Sequence, residues 1–120
     1  MALNPYDTWR HFLDGYLIYY GSRYALALEF VLFDLYCSRN LPSNLKVFDV
    51  GVGPATATLA ILEFLRKLAR AYEAADVSFP VTETQFWWLD RSQKVLDYAR
   101  KTIWPRCAHG RTDRLWTDSA

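Results

Sequence analysis

Two aspartates, each closing a short apolar run, are the residues best placed for chemistry. Asp49 ends "KVFDV" and stands two residues before Gly51-Val52-Gly53-Pro54-Ala55. Asp90 ends "QFWWLD" and is followed by Arg91 and Ser92. A carboxylate at a strand end can accept both hydroxyl protons of a ribose, a bidentate contact that a neutral side chain reproduces poorly. Glycines beyond the carboxyl end of a parallel strand let backbone approach a ligand, and the helix that follows presents free N–H groups to it. Pro54, at the mouth of that helix, fixes φ and gives up an N–H that would be unpaired anyway. Together these residues describe a floor for a nucleotide-like cofactor. Plainer readings stand beside it: the glycines as a strand-to-helix turn, Asp90 as a charge complementing the next helix dipole, and Ser92 as an N-cap. His11 and His109 have no partners at useful spacing, and Cys37 and Cys107 fit no metal-ligand pattern. No catalytic residue and no metal site is assigned, and the cysteines are expected to be reduced.

The elements that must position these residues follow from pattern. Asn4-Pro5-Tyr6-Asp7 reads as a helix start, with a first helix running to about Asp14. Gly21-Ser22 restarts the pattern, and Ser22 caps a second helix from Arg23 to about Ser38. It is apolar almost all round, which predicts burial on more than one side. Glu29 falls off its polar stripe and is expected to pair with an arginine. Tyr19, Tyr20, Arg23 and Tyr24 form an aromatic-basic cluster, read as core packing or a surface patch, or, on the family resemblance carried by the glycine loop, as a cofactor contact from Tyr20 or Tyr24. Lys46 to Val50 and Gln85 to Leu89 read as strands with apolar residues on both faces, as covered strands require. Ala55 to about Tyr72 is a long helix, and Ala74 to Thr84 a connecting insert. Ser92 opens a helix through about Thr102 with Val95, Leu96 and Ala99 buried, stopped by Pro105. Trp87 and Trp88, being consecutive in a strand, face opposite sides, and both are assigned to the core. The tail 105–120 shows no usable periodicity.

Strand, helix, insert, strand, helix is a βαβα unit, which predicts an α/β fold with parallel strands and right-handed crossovers. One domain is expected: a helical cap over 1–44, a half-domain over 45–104, and the tail. The dinucleotide fingerprint G-x-G-x-x-G is not met, because Thr56 holds its third glycine position. The stretch D-x-G-x-G-P-A instead resembles the signature loop of class I, Rossmann-like, S-adenosylmethionine-dependent methyltransferases. Asp49, Gly51 and Gly53 match that loop, and Ala55 replaces its third glycine. "LDRSQKVLDYA" is similar to the end of that family's second strand, through Asp90, Ser92, Leu96 and Ala99. "GVGPATA" is also similar to the G-x-G-P-G-T-A loop of a ribosomal small-subunit methyltransferase group. One departure is spacing, since Asp90 lies 37 residues after Gly53 against roughly 20 in the general pattern. The long helix and the insert account for it.

The resemblance covers about Leu45 to Trp104. It implies S-adenosylmethionine as cofactor, with Gly51, Val52 and Gly53 lining its amino-acid part and Asp90 holding its ribose. Arg91 or an apolar neighbour would flank the adenine, and Asp49 would orient the loop or reach the methionine ammonium through water. It also implies a deficit. Substrate-side residues of the family follow its fourth strand, and only 16 residues remain here after Trp104. The fold expected is therefore a truncated one, two N-terminal helices and the βαβα unit, whose first strand would present an unpaired apolar edge. A second copy, or a separate chain completing the sheet, is expected to cover it unless the N-terminal helices and the tail rearrange to do so. The function expected is a methyltransferase or the cofactor-binding half of one; the alternative is a non-catalytic binding or assembly module of the same fold.

Composition sets the outer bounds. With 52% apolar and 17% aromatic residues, disorder is excluded as a class. A net charge of +1 gives no global footprint for nucleic acid, which enters only as a methyl acceptor. "YALALEFVLFDLYC" is interrupted by Glu29 and Asp34 and is too short to span a bilayer. The amino-terminal stretch lacks a secretory pattern, so a cytoplasmic protein without a membrane partner is expected.

Overall fold

A computed structural model describes residues 23–53, 55–107 and 113–119. The first expected helix, Tyr19, Tyr20, Pro54 and both histidines lie outside the described residues. Helix α1 covers 23–37. Strand β1 (Asn44–Val50) follows, then α2 (Thr56–Ala74) and β2 (Glu83–Asp90). The chain continues through α3 (Gln93–Tyr98), a π-helical turn (Ala99–Ile103), α4 (Trp104–Cys107) and β3 (Asp113–Ser119). The fold is mixed α/β, with a sheet ordered β1-β2-β3 in which both pairings are parallel. No helix among the described residues is long and apolar enough to cross a membrane.

Strand alternation decides the core. Phe86 and Trp88 point to the helix-covered face of β2 and are fully buried, at 0% and 1% exposure. The Trp88 indole Nε1 donates to Thr58 Oγ1 of α2 at 2.8 Å, and Trp104 meets the rings of Phe86 and Trp88 edge-on at 5.7 and 5.9 Å. Ile61, Leu62 and Leu65 of α2, with Val95, Leu96, Ala99 and Ile103, complete the layer. The expected stripe of the third helix is thus buried as predicted from its spacing.

Several expectations about the sheet and the tail change. The tail is not featureless, since its last residues form β3, paired with β2 from Thr84↔Asp113 to Asp90↔Ser119. Pro105 does not stop the helix. The π-turn before it moves the hydrogen-bond register, with the Trp104 N–H reaching back to Ala99 O, and the proline falls in the first turn of α4, where its missing N–H is tolerated. The sheet is not covered on both faces, for Phe48 and Val50 are 73% and 75% exposed. Trp87 lies on that open face, stacked between Phe48 and Trp116 at 4.8 Å on each side. Rings at one register position of adjacent parallel strands stand at the strand spacing, so the ladder follows from the pairing itself.

Helix α1 packs on α2 through Leu32, through Glu29 to Lys67 Nζ at 3.0 Å, and through the Tyr36 and Tyr72 hydroxyls at 2.6 Å. The partner of Glu29 is therefore a lysine, not the expected arginine. Burial on several sides is also not met: Leu26, Phe30, Val31 and Phe33 are more than half exposed.

Candidate functional site

The two acid-ended strands lie side by side, so their carboxyl ends open onto one place. Asp49 is level with Trp88, and Asp90 stands one residue beyond the Val50↔Leu89 pair. The Gly51 N–H donates to Leu89 O at 2.7 Å and ties the loop to β2. Gly51 and Gly53 have φ of +73° and +55°, in the left-handed region that an L side chain enters at a cost. A Cβ added at either would meet nothing within 4 Å. Both glycines thus border open space, and only backbone geometry demands them. Gly53→Ala is accordingly expected to cost about 1–2 kcal/mol through backbone strain alone. A denaturant titration checks this, and an unchanged midpoint contradicts it.

Ala55 occupies the position where the methyltransferase loop carries its third glycine. It is the N-cap of α2, fully buried, with φ 60° and ψ 36°. The backbone keeps the glycine-like conformation although the residue is not glycine. No side chain caps α2; the Ala55 N–H instead donates to Val52 O at 3.1 Å. The Val52 side chain is buried in the core, which leaves only its backbone to line a ligand.

Asp90 is held from two sides. Its Oδ2 accepts from the Gly53 N–H at 3.3 Å and its Oδ1 from the Ser92 N–H at 2.9 Å. The carboxylate so bridges the glycine loop and the start of α3, and each oxygen retains a lone pair for a further donor. Ser92 is the cap of α3, its Oγ accepting from the Val95 N–H at 3.3 Å, and Arg91 beside it is exposed.

Asp49 turns its carboxyl toward the covered side, and Oδ2 is buried without a hydrogen-bond partner. Burial, and secondarily the Asp90 charge, push its pKa up from 3.8 to about 6. The folded protein therefore binds this proton more tightly than the unfolded chain. Stability from this group is present below pH 4 and is lost as pH rises from about 4 to about 6. After allowance for partial solvent screening, the loss amounts to roughly 1–2 kcal/mol. Asp49→Asn is expected to recover it at pH 7 and to flatten stability against pH in that window. Unfolding midpoints at pH 4, 5, 6 and 7 test this; identical slopes for wild type and variant would refute it.

Sequence reasoning named both acids and the loop between them. It missed their mutual influence, whose signal was the common strand-end position of the two aspartates in neighbouring parallel strands. It also missed the ladder, which alternation in β1 and β2 hinted at but which needed Trp116 of β3. Among the described residues no cluster of three metal-ligating side chains exists. Compared with known proteins, the chain matches no family model, no curated protein and no solved structure.

Proposed function

We propose that the chain binds S-adenosylmethionine at the carboxyl ends of β1 and β2, as a methyltransferase or as the cofactor-binding half of one. One observation carries the reading: a left-handed glycine loop after the first strand, fastened to a carboxylate ending the adjacent parallel strand by the Gly53–Asp90 hydrogen bond. The residues present fit such a ligand. Open space lies over both glycines, Asp90 has acceptor capacity for ribose hydroxyls, and Asp49 offers a buried, unpartnered oxygen to a cationic or hydroxylic group. When bound, the cofactor would supply an electrophilic sulfonium methyl. The chain's own part is to hold and orient it, which is where most acceleration of such a transfer arises. Asp90, Gly51 and Gly53 would do this, with Arg91 beside the adenine.

The acceptor-binding residues would come from a second copy or a separate chain at the free edge of β1. Among the described residues that strand has no neighbour on its outer side in the sheet, and Phe48 and Val50 on its open face are exposed. The same edge favours the second reading, a non-catalytic module that uses the fold for assembly. Calorimetry with S-adenosylmethionine and S-adenosylhomocysteine separates the two readings. Saturable binding supports the first, and its absence in wild type sinks it. Binding without methyl transfer favours the half-site arrangement. Light scattering on the eluting chain then reports whether copies associate.

A further inference from the structure

The aromatic ladder stands on the open face of the sheet, where Phe48, Val50 and Trp116 are 73%, 75% and 43% exposed among the described residues. Its rings are nearly parallel, at 10° and 11°, and 4.8 Å apart. They therefore stand up from the sheet and cover one another's faces, so a partner meets a row of ring edges. A stacked nucleobase needs an exposed ring face, and Trp87 has neither of its faces open. A row of ring edges instead suits another apolar surface laid flat on it, as sheet faces lie in a sandwich.

The charges beside the ladder select that surface. Leu115 packs against the core, so Arg114, Trp116 and Asp118 point to the open face of β3. A cation and an anion thus flank the ladder at equal distance, two residues before and two after Trp116, and both are exposed. Turned end for end, this row is its own complement. A two-fold axis along the ladder, across the strands, reverses strand direction and keeps β3 over β3. It sets ladder against ladder and each Arg114 against the partner's Asp118, twice per dimer. An axis along the strands would place β3 over β1 and set Arg114 against the partner's Lys46, a like-charge pair. Arg114 already meets Glu83 at 3.3 Å, and the five donors of a guanidinium can serve a second carboxylate.

We propose that two copies of this chain pack through their open sheet faces, strands antiparallel about a two-fold axis along the Phe48–Trp87–Trp116 ladder, with each Arg114 against the partner's Asp118. Three strands about 4.8 Å apart, with seven residues of about 3.3 Å each, give the face a footprint of roughly 300 Å². Stable complexes bury about 800 Å² a side, so this contact belongs to the reversible class. The antiparallel order puts the two glycine loops at opposite ends of the dimer. The partner adds nothing to the loop, and the outer edge of β1 is left to the chain that would complete the site. The proposal is therefore independent of S-adenosylmethionine binding, and calorimetry can fail without touching it.

Sedimentation velocity on the full chain, from about 1 to about 300 µM, spans the range in which contacts of this size dissociate. Wild type is expected to pass from monomer to dimer, and a monomer throughout overturns the proposal. Asp118→Arg and Arg114→Asp each oppose like charges at both contacts and should weaken self-association at least about tenfold. Mixed in equal amounts, the two variants regain both opposite-charge pairs, and a heterodimer within about threefold of wild-type affinity is expected. Two folded variants that fail to associate on mixing overturn the proposal. Near-ultraviolet circular dichroism verifies that each is folded. If Arg114→Asp, which also loses its contact with Glu83, is not, Asp118→Arg decides alone. Undiminished association of that variant would place the contact elsewhere, such as at the edge of β1, and overturn the proposal.

Discussion

Trp88→Ala is expected to abolish the cooperative unfolding transition of this protein at room temperature. The side chain is 1% exposed at the centre of β2, enclosed by α2 and by Trp104. Truncating a buried tryptophan costs about 3–5 kcal/mol through lost transfer energy and the cavity left behind. A second loss adds to this, since Thr58 Oγ1 is itself fully buried and its partner is the Trp88 Nε1–H. Orphaning such a group costs about 1–3 kcal/mol. A total stability of about 5–15 kcal/mol is ordinary for a single domain. The sum, about 4–8 kcal/mol, consumes most or all of a stability in the lower half of that range. Trp88→Phe separates the contributions, because it keeps much of the apolar volume and removes only the donor. It should lower the midpoint by an amount near the hydrogen-bond cost, and Trp88→Phe with Thr58→Val should recover part of the loss. Urea unfolding followed by near-ultraviolet circular dichroism reads all of this. An alanine variant within 1 kcal/mol of wild type would contradict the packing described.

Asp90→Ala should have the largest effect on ligand binding. The carboxylate accepts from Gly53 at the loop and from Ser92 at the start of α3, so its removal unfastens two backbone segments at once. Charge-assisted bonds of this type are the stronger class. On the proposed reading of the site, affinity for S-adenosylmethionine is expected to fall at least about 30-fold, roughly 2 kcal/mol. Stability should fall by about 1–2 kcal/mol, since the loop is solvent-facing. Asp90→Asn adds a finer check. It retains one acceptor oxygen and removes the charge that raises the Asp49 pKa. The Asp49 titration should then move down from about 6 without reaching its ordinary value, because burial is the larger cause. A carboxyl titration by NMR reads that shift, and an unmoved midpoint would show that the two acids do not sense each other.

The βαβ unit was legible because each element carries its own local signal. Apolar runs closed by Asp49 and Asp90, a glycine turn, a 19-residue helix of good formers and a serine cap need no long-range information. β3 was not legible in the same way. "DRLWTDS" has only two apolar residues, the consecutive Leu115 and Trp116, and so no alternation; it becomes a strand by pairing with an already formed β2, which is a tertiary decision. Pro105 misled for a related reason. Its rule concerns the interior of an α-helix, and a π-turn just upstream changes the register to which the rule applies. The exposure of Phe48 and Val50 shows the limit of reading a strand by composition. An apolar residue on each face predicts two covers, but composition does not say where the second one comes from.

The parallel order of the sheet has a consequence in time. Asn44 pairs with Glu83 and Thr84 with Asp113, so roughly 40 and then 30 residues must be gathered before any rung of either pairing can form. No hairpin between the described strands can nucleate this sheet. During synthesis at about 5–20 residues per second, β1 would leave the ribosome some 2–8 s before the end of β2 does. For that interval the unpaired edge of Phe48 and Val50 is a property of the nascent chain as much as of the folded one.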